Sequence, residues 1–351
     1  MKILLYTGLL KLVEKSGIGR AIHHQQKALE ESGVSYTTDI KDDYDIVQLN
    51  TIFPDSIFVA MMAKLRKKKV VYYAHSTMED FKNSFKGSNI IAPIFKKWIM
   101  FCYKLGDVII TPTEYSKKLL EGYGIKKPIF ALSNGVDLSY FSPGVEGGKR
   151  FREKYKLSDD QKIVISVGHY IERKGIGDFV KLAKRMPEVT FFWFGYTNPN
   201  LIPDTVRESI STAPKNVIFP GYICRDELRD AYSGSDLFLF LTHEETEGIV
   251  LLEALAMKIP ILIRDIPIYR EHFSDGKELY KGSTLDEFQD KIKKILVGEL
   301  PSLKDSGYKL VKKKDIKIIG KQLQAIYESL KKEDENFVAE YSHQCRMKTK
   351  A

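Results

Sequence analysis

The chain has 351 residues, of which 43% are hydrophobic and 29% charged, a composition typical of a soluble globular protein with two domains of ordinary size. No apolar run approaches the roughly 18 residues that span a bilayer, and we expect no signal peptide because residues 2–6 already have a strand pattern. Three widely spaced cysteines (Cys102, Cys224 and Cys345) argue against a disulfide framework or a zinc site and favour a reducing cytoplasm.

The positive charge is concentrated in the first half of the chain. The net charge is +9, and residues 1–150 carry 22 Lys and Arg against 15 Asp and Glu. A basic first half predicts an anionic partner. Because no nucleic-acid-binding module or arginine-rich arm is recognisable, we favour an anionic membrane surface over nucleic acid.

The first half alternates short apolar runs with amphipathic segments. The runs typical of strands cover residues 3–6, 46–49, 70–74, 108–111 and 129–132. This alternation predicts βαβ units and a parallel sheet. After the first run, Gly17 and Gly19 would let the backbone approach a ligand at a helix start that favours anions. Arg20, which follows them, is either a phosphate or acceptor contact or an ordinary surface arginine.

Two basic segments suggest contact with a membrane. Residues 66–69 are four consecutive basic residues, although such clusters are also typical of a solvated turn. A helix over residues 93–105 would combine lysines on one side with aromatic and aliphatic residues over most of the rest, the signature of an interfacial helix. Its predicted membrane-surface residues are Lys96, Lys97, Trp98 and Lys104. The alternative is a domain helix buried against the sheet.

The second half repeats the alternation, with apolar runs at residues 163–167, 189–194, 217–219, 237–241 and 261–263. A segment dense in Gly and Pro, residues 142–148, separates the halves. We therefore predict domains at 1–148 and 149–315, followed by a C-terminal helix from Ile316 and a tail, together covering 316–351.

The most informative stretch leads from the apolar run 237–241 through an acidic loop and a glycine into a helix rich in Leu and Ala. Glu245 lies in the loop, and Glu253 lies eight residues later on the helix. Such a loop lines the ligand crevice at the carboxyl ends of parallel strands. The N–H groups left unpaired at the helix start, where the dipole favours anions, are those of Gly248, Ile249 and Val250. The alternative is a solvated acidic loop with glutamates that stabilise the helix.

Together these motifs resemble those of retaining glycosyltransferases of family 4. The E-x7-E signature of that family matches at Glu245 and Glu253, its N-G-V-D-x-x-x-F-x-P motif at residues 134–143, and the Lys-Gly of its G-R-x-x-x-x-K-G motif at Lys174. His169 stands where the last motif usually has Arg. The resemblance implies a GT-B fold, in which two doubly wound Rossmann-like domains with parallel sheets face each other across a cleft.

The resemblance also implies a donor site in the second half. Glu253 would hold the ribose hydroxyls, and Glu245 would contact the donor sugar and steady positive charge at its anomeric carbon. Arg173 and Lys174, with the backbone N–H groups of residues 248–250, would hold the diphosphate without a metal or other cofactor, because a leaving diphosphate needs positive charge already in place. The backbone groups that would read the nucleotide base, unless the side chains only pack, are those of Tyr222 and Ile223.

In the first half, the resemblance places His75 beside the transferred sugar, unless it is a plain hydrogen-bonding residue. It places Gly17, Gly19 and Arg20 at the acceptor and the donor phosphates. In the family's mechanism the acceptor attacks from the face that the diphosphate leaves, and the leaving phosphate takes the proton. No side chain then need serve as general base.

The sequences of several segments resemble those of Gram-positive synthases. These enzymes add a second hexose, often α-galactose, to monoglucosyl-diacylglycerol and so build lipoteichoic-acid anchors. We therefore predict transfer from UDP-galactose or UDP-glucose to that glycolipid by a peripheral enzyme on the cytoplasmic face of the cell membrane. Two alternatives stay open. One is a soluble transferase for capsule or wall polysaccharide. The other is a non-catalytic GT-B binding partner, against which the intact Glu245 and Glu253 argue.

Overall fold

The computed structural model describes residues 1–10 and 14–332, and the tail predicted after the C-terminal helix, from Asp334, lies outside them. The chain forms two compact units, each made of segments that are not contiguous in the sequence. Of the described residues, the first unit contains those of Met1–Thr77 and Pro93–Gly135 together with residues 314–332, and the second contains Met78–Ala92 and Val136–Lys313. The domain limits predicted at 148 and 315 remain predictions.

Within the described residues the structure has twelve strands. In chain order they are β1 (Lys2–Tyr6), β2 (Ser35–Thr37), β3 (Ile46–Leu49), β4 (Lys69–Tyr73), β5 (Val108–Thr111), β6 (Ile129–Ala131), β7 (Ile163–Val167), β8 (Thr190–Phe194), β9 (Val217–Gly221), β10 (Leu237–Phe240), β11 (Ile261–Arg264) and β12 (Tyr280–Gly282).

The α-helices of the same residues are α1 (Gly17–Glu31), α2 (Pro54–Leu65), α3 (Met78–Phe81), α4 (Ser88–Lys104), α5 (Glu114–Gly122), α6 (Val145–Tyr155), α7 (Ile176–Arg185), α8 (Asp204–Ser211), α9 (Arg225–Gly234), α10 (Ile249–Ala256), α11 (Pro267–Arg270), α12 (Leu285–Leu296), α13 (Lys304–Val311) and α14 (Ile316–Lys332). Short 3₁₀ turns cover Glu172–Lys174, Pro199–Leu201 and Lys312–Lys314.

Each unit is built on a six-stranded parallel sheet. The strand order is β2-β1-β3-β4-β5-β6 in the first unit and β12-β11-β10-β7-β8-β9 in the second. The order reverses once in each sheet, between β1 and β3 and between β7 and β10, which makes both sheets doubly wound. Every residue of β3, β5 and β10 is buried, as expected of parallel strands covered by helices on both faces. The predicted α/β fold of two doubly wound parallel sheets is confirmed.

Two strands of the described chain, β2 and β12, were not predicted from the sequence. Each has three residues and lies at the outer edge of its sheet. Their sequences, Ser-Tyr-Thr and Tyr-Lys-Gly, contain no apolar run. They are paired because the neighbouring strand offers an open edge, which a local sequence pattern does not show.

The C-terminal helix α14 packs in the first unit, where its Leu323, Ile326 and Tyr327 join the hydrophobic core. The Tyr327 hydroxyl donates a hydrogen bond to Gln48 Oε1 at 2.5 Å. A Cβ on Gly320 would stand 2.2 Å from the carbonyl oxygen of Ala28 in α1. The two helices therefore approach so closely that this position admits only glycine.

We expect Gly320→Ala to lower the free energy of unfolding by about 1–3 kcal/mol, because the added methyl forces α1 and α14 apart. Gly122→Ala is the matched control, since nothing would lie within 4 Å of the methyl added there and alanine favours helix more than glycine does. Urea unfolding of both variants measures the difference. Equal stability of the two variants would contradict the close approach.

Candidate active site

The second unit brings the turn after β7 and the loop after β10 to one point of its sheet. These strands are hydrogen-bonded neighbours where the strand order reverses. In open parallel sheets, ligands bind outside the carboxyl ends of the strands at such a point. Residues 168–175 and 241–248 therefore lie where a ligand site is expected.

Glu245 is the buried carboxylate of this site, with 5% of its surface exposed. Lys174 Nζ donates a hydrogen bond to Glu245 Oε1, and Arg173 Nη1 lies 3.8 Å from Oε2. Burial acts to raise the pKa of Glu245, but the charges of Lys174 and Arg173 hold that pKa below its ordinary value. The carboxylate is therefore ionised at neutral pH.

Arg173 is also buried and is held from several sides. Its Nη1 lies 2.9 Å from Asp80 Oδ1 and donates to the carbonyl oxygen of Glu244 at 2.5 Å. Its Nε donates to Ser84 Oγ at 3.1 Å, and its backbone N–H donates to the carbonyl of Asn83 at 2.9 Å. Arg173 thus joins the Glu245 loop to the segment that precedes α4.

Lys174 is the more adaptable of the two cations, because an ammonium on a four-carbon chain reorients more readily than a guanidinium held at several atoms. Burial lowers its pKa from the ordinary lysine value, against the opposing effect of Glu245. His169, where the family motif has Arg, is not a substitute cation. Burial lowers its pKa, and its Nδ1 donates to the Tyr196 carbonyl at 2.5 Å.

Gly248 begins α10 from a left-handed conformation, with φ at +84°. A Cβ there would stand 2.6 Å from the Tyr269 hydroxyl oxygen, so both backbone and space require glycine. The first N–H groups of α10, those of Ile249 and Val250, lack intrahelical partners, as at any helix start. On the same helix, Glu253 is fully buried, and its Oε2 accepts a hydrogen bond from Tyr232 at 3.3 Å.

The residues predicted to border the base lie elsewhere on the sheet. Tyr222 and Ile223 follow β9, the edge strand, which is separated from β7 by β8. Tyr222 is 45% exposed. The structure therefore brings Glu245, Lys174 and Arg173 together, with Gly248 at the end of the same loop, whereas the assignment of Tyr222 and Ile223 remains a prediction.

In the first unit, His75 follows β4 and is 7% exposed. Its Nε2 lies 2.9 Å from Asn50 Oδ1, and its ring stacks on Tyr73 with centroids 4.6 Å apart. Because an amide oxygen only accepts, Nε2 carries the proton and Nδ1 is an acceptor. Burial lowers the pKa of His75 to about 3, so the ring is neutral. Asn50 lies in no motif of the sequence and was not predicted as a site residue.

The glycine turn of the first unit begins α1. Ser16 caps the helix, its hydroxyl accepting a hydrogen bond from the N–H two residues on. A Cβ on Gly19 would stand 2.3 Å from the carbonyl oxygen of Glu14, whereas Gly17 has open space. Gly19 is thus required by packing, and the exposed Gly17 leaves room at the helix start. Arg20 is partly buried in the first turn.

Helix α4 combines a buried face with an exposed apolar one. Its buried residues include Ile99, Cys102 and Tyr103, and its exposed apolar residues are Ile90, Ile91, Ile94, Trp98 and Phe101. The Trp98 indole donates a hydrogen bond to the Ile52 carbonyl at 2.9 Å. Of the predicted surface lysines, Lys97 and Lys104 are exposed, while Lys96 is partly buried over the Tyr123 ring. The helix is therefore both a packed domain helix and a carrier of exposed apolar side chains.

A second exposed apolar stripe, on α2, was missed by the sequence analysis. It consists of Phe58, Met61 and Leu65, with 62%, 54% and 78% exposure, at helical spacings of three and four residues that place them on one face. The exposed Arg66 and Lys67 follow directly. The sequence feature that could have indicated this stripe is that apolar residues occur on all sides of α2, which is unusual for a surface helix.

Two features are absent from the described residues. No helix among them is long and apolar enough to cross a bilayer. Residues 1–10 and 14–332 also contain no group of three or more His, Cys, Asp or Glu side chains that could hold a metal ion.

Comparisons with known proteins agree on one family. The model of glycosyltransferase family 4 matches residues 17–140, and the model of glycosyl transferases group 1 matches residues 148–313. A processive diacylglycerol alpha-glucosyltransferase of Acholeplasma laidlawii is 42% identical over 332 residues, covering 94% of this chain and 98% of the relative. An alpha-galactosylglucosyldiacylglycerol synthase of Streptococcus pneumoniae is 27% identical over 240 residues, covering 67% of this chain and 64% of the relative.

A solved structure supports the same fold. The Anabaena protein HepE, crystallised with UDP and glucose, superposes with a TM-score of 0.73 at 14% identity, covering 93% of this chain and 99% of that one. At this identity the likeness concerns the fold alone.

We expect Glu245→Gln to destabilise the protein by about 3–5 kcal/mol at pH 7, because it leaves buried cations without their carboxylate. The pKa of Glu245 is lower in the folded than in the unfolded chain. Its carboxylate therefore contributes stability above the unfolded pKa, and this contribution is lost as the pH falls through the folded pKa. Urea unfolding at pH 7 and below pH 4.5 should show the difference between wild type and variant shrinking.

Glu121→Gln, at an exposed position of α5, is the control and should change stability little at either pH. A destabilisation by Glu245→Gln that is the same at both pH values would show that the charge of Glu245 is not what stabilises the site.

Proposed function

The chain belongs to glycosyltransferase family 4 and is a hexosyltransferase, and from this premise we propose that it transfers glucose from UDP-glucose to a glucosyl-diacylglycerol, with retention of the anomeric configuration. The observation that carries the proposal is the ionised Glu245, buried between Lys174 and Arg173 at the strand-order reversal of the second sheet.

The donor side of the reaction needs positive charge for the leaving diphosphate and negative charge near the anomeric carbon. Lys174 and the N–H groups at the start of α10 supply the first. Glu245 supplies the negative charge. When Lys174 turns toward the diphosphate, Arg173, which lies 3.8 Å from Glu245, still compensates the charge of the Glu245 carboxylate. Glu253 on α10 holds the ribose hydroxyls. The positive charge comes from side chains, so the proposal includes no metal.

The acceptor side needs no base among the side chains. The acceptor oxygen forms its bond to the anomeric carbon on the face from which the phosphate oxygen departs, and the departing phosphate takes the acceptor proton. His75 has a pKa of about 3 and is neutral. It serves as a hydrogen-bond acceptor for a sugar hydroxyl through Nδ1. The turn of Gly17, Gly19 and Arg20 faces the acceptor and the phosphates.

The choice of glucose rests on the relatives. The relative that is 42% identical over nearly the whole chain is named a glucosyltransferase acting on diacylglycerol, while the galactosyl synthase is 27% identical. Both names specify diacylglycerol lipids and alpha linkages. A UDP-hexose donor and a diacylglycerol glycolipid acceptor are therefore the favoured substrates, with UDP-galactose as the alternative donor.

A lipid acceptor requires contact with a membrane, and the first unit has two surfaces suited to it. The part of α4 in the first unit carries the exposed Ile94, Trp98 and Phe101 together with the exposed Lys97 and Lys104, and the α2 stripe is followed by Arg66 and Lys67. Apolar side chains enter the interface while basic ones attract anionic lipid. We therefore place the enzyme peripherally on the cytoplasmic face of the cell membrane.

UDP release tests the substrates directly. We expect turnover with UDP-glucose when anionic vesicles carry glucosyl-diacylglycerol, and little without that acceptor. Glu245→Gln should lower kcat at least about 100-fold, the usual cost of removing a preorganised electrostatic group, whereas Glu121→Gln should not. Turnover of a water-soluble polysaccharide acceptor without vesicles would overturn the lipid assignment, and faster turnover of UDP-galactose would overturn the donor assignment.

Vesicle sedimentation tests the membrane surface. Replacing Phe58, Met61 and Leu65 together by Ser should weaken binding to anionic vesicles at least about tenfold, because each side chain buries apolar area worth about 1 kcal/mol or more in the interface. Val297→Ser, at a 68% exposed residue of the second unit, is the matched control. Unchanged vesicle binding of the triple variant would exclude α2 from the membrane contact.

A further inference from the structure

The segment Met78–Ala92 comes from the first half of the sequence but belongs to the second unit. It is attached mainly at Arg173, through Asp80, Asn83 and Ser84. At its surface, Lys86 Nζ forms an ion pair with Asp204 at 2.9 Å. The segment therefore contributes side chains to the surroundings of Glu245 that no motif of the second half contains.

The local structure of the segment fixes Asp80 in place. Ser84 Oγ donates to the Asp80 carbonyl at 2.9 Å and accepts from Arg173 Nε. Asn83 and Asn89 exchange two hydrogen bonds, from the Asn83 N–H at 2.9 Å and from the Asn89 side-chain amide at 2.7 Å. Asp80 thus sits on an ordered turn that delivers its carboxylate to the guanidinium.

Four titratable side chains share this site, two acids and two bases. Burial raises the pKa of Asp80, and the adjacent charge of Arg173 opposes that rise. Arg173 Nη1 lies 2.9 Å from Asp80 Oδ1 but 3.8 Å from Glu245 Oε2, while Lys174 binds Glu245 Oε1. With Asp80 as its nearer carboxylate, Arg173 does not close on Glu245. Without a charge on Asp80, Glu245 would be the carboxylate of this group that attracts Arg173. The attraction between the two would then draw the guanidinium closer, because opposite charges in a buried site attract more strongly at shorter distance.

We propose that Asp80 is a positioning residue of the transfer reaction, which holds Arg173 away from Glu245 and so leaves the Glu245 carboxylate available to the donor sugar. This inference rests on the function proposed above. Arg173 held in this way still donates to the Glu244 carbonyl, so it supports the backbone of the loop while its nearest nitrogen stays 3.8 Å from Glu245, too far for a hydrogen bond to that carboxylate. Asp80 acts on the reacting atoms only through Arg173.

Removing the charge of Asp80 has a specific kinetic consequence. Arg173 would move onto Glu245, and the negative charge near the anomeric carbon would be reduced at the step where positive charge develops. An interaction that matters in the transition state changes kcat, whereas one that matters equally in substrate binding changes KM. Lys174 and the start of α10, which hold the diphosphate, are left in place.

The test compares Asp80→Asn with Asp80→Glu, which keeps the charge, and with Asp204→Asn, which breaks only the surface ion pair of the same segment. We expect Asp80→Asn to lower kcat for UDP-glucose at least about tenfold, with a KM for UDP-glucose within about threefold of wild type. Asp80→Glu should recover part of kcat, and Asp204→Asn should match wild type. Wild-type kcat in Asp80→Asn, or a parallel loss of kcat, donor affinity and thermal stability, would overturn the proposal.

A second measurement does not depend on activity. A double-mutant cycle by urea unfolding, with Arg173→Met and Glu245→Gln, gives the coupling between these two side chains. We expect this coupling to increase in the Asp80→Asn background, and an unchanged or smaller coupling would overturn the proposal. If wild type turned over no UDP-hexose, the proposed function would fail, while the cycle would still decide whether Asp80 holds Arg173 away from Glu245.

Discussion

The rest of the site depends on the buried pairing of Glu245 with Lys174. Burying a carboxylate is costly unless a cation and hydrogen bonds compensate it, and here two consecutive residues of the β7 turn supply the cations. The pair keeps Glu245 ionised in a place from which water is largely excluded. A charge held in this way acts on a reacting group more strongly than the same charge in water.

Glycines make that pairing possible. Gly175 has φ at +80°, and a Cβ there would stand 2.3 Å from the carbonyl oxygen of Leu241. The turn after β7 can therefore lie directly against the loop after β10, which brings Lys174 to Glu245. Gly248 then turns the same loop into α10. The match of these positions to the family motifs has a physical reason, since a side chain at Gly175 would push the turn away from Leu241 and a side chain at Gly248 would collide with Tyr269.

The fold could be predicted from the sequence because buried parallel strands are local apolar runs. The site could be predicted in part. Glu245, Lys174 and Gly248 lie in recognisable motifs, and the structure brings them together. What no motif showed were contacts between distant parts of the chain: the pairing of Asp80 with Arg173 and of Asn50 with His75. The exposed stripe of α2 was also missed, because an apolar sequence does not show which of its faces is buried.

The anomeric configuration of the product tests the proposed mechanism directly. Purified enzyme would convert UDP-glucose and glucosyl-diacylglycerol in anionic vesicles, and proton NMR would give the anomeric configuration of the new linkage. We expect an α-linked glucose, the configuration of the donor, because in the proposed mechanism the acceptor attacks from the face that the diphosphate leaves. A β-linked product would mean attack from the opposite face, with a side chain as base, and would contradict the role assigned to Glu245 and its cations.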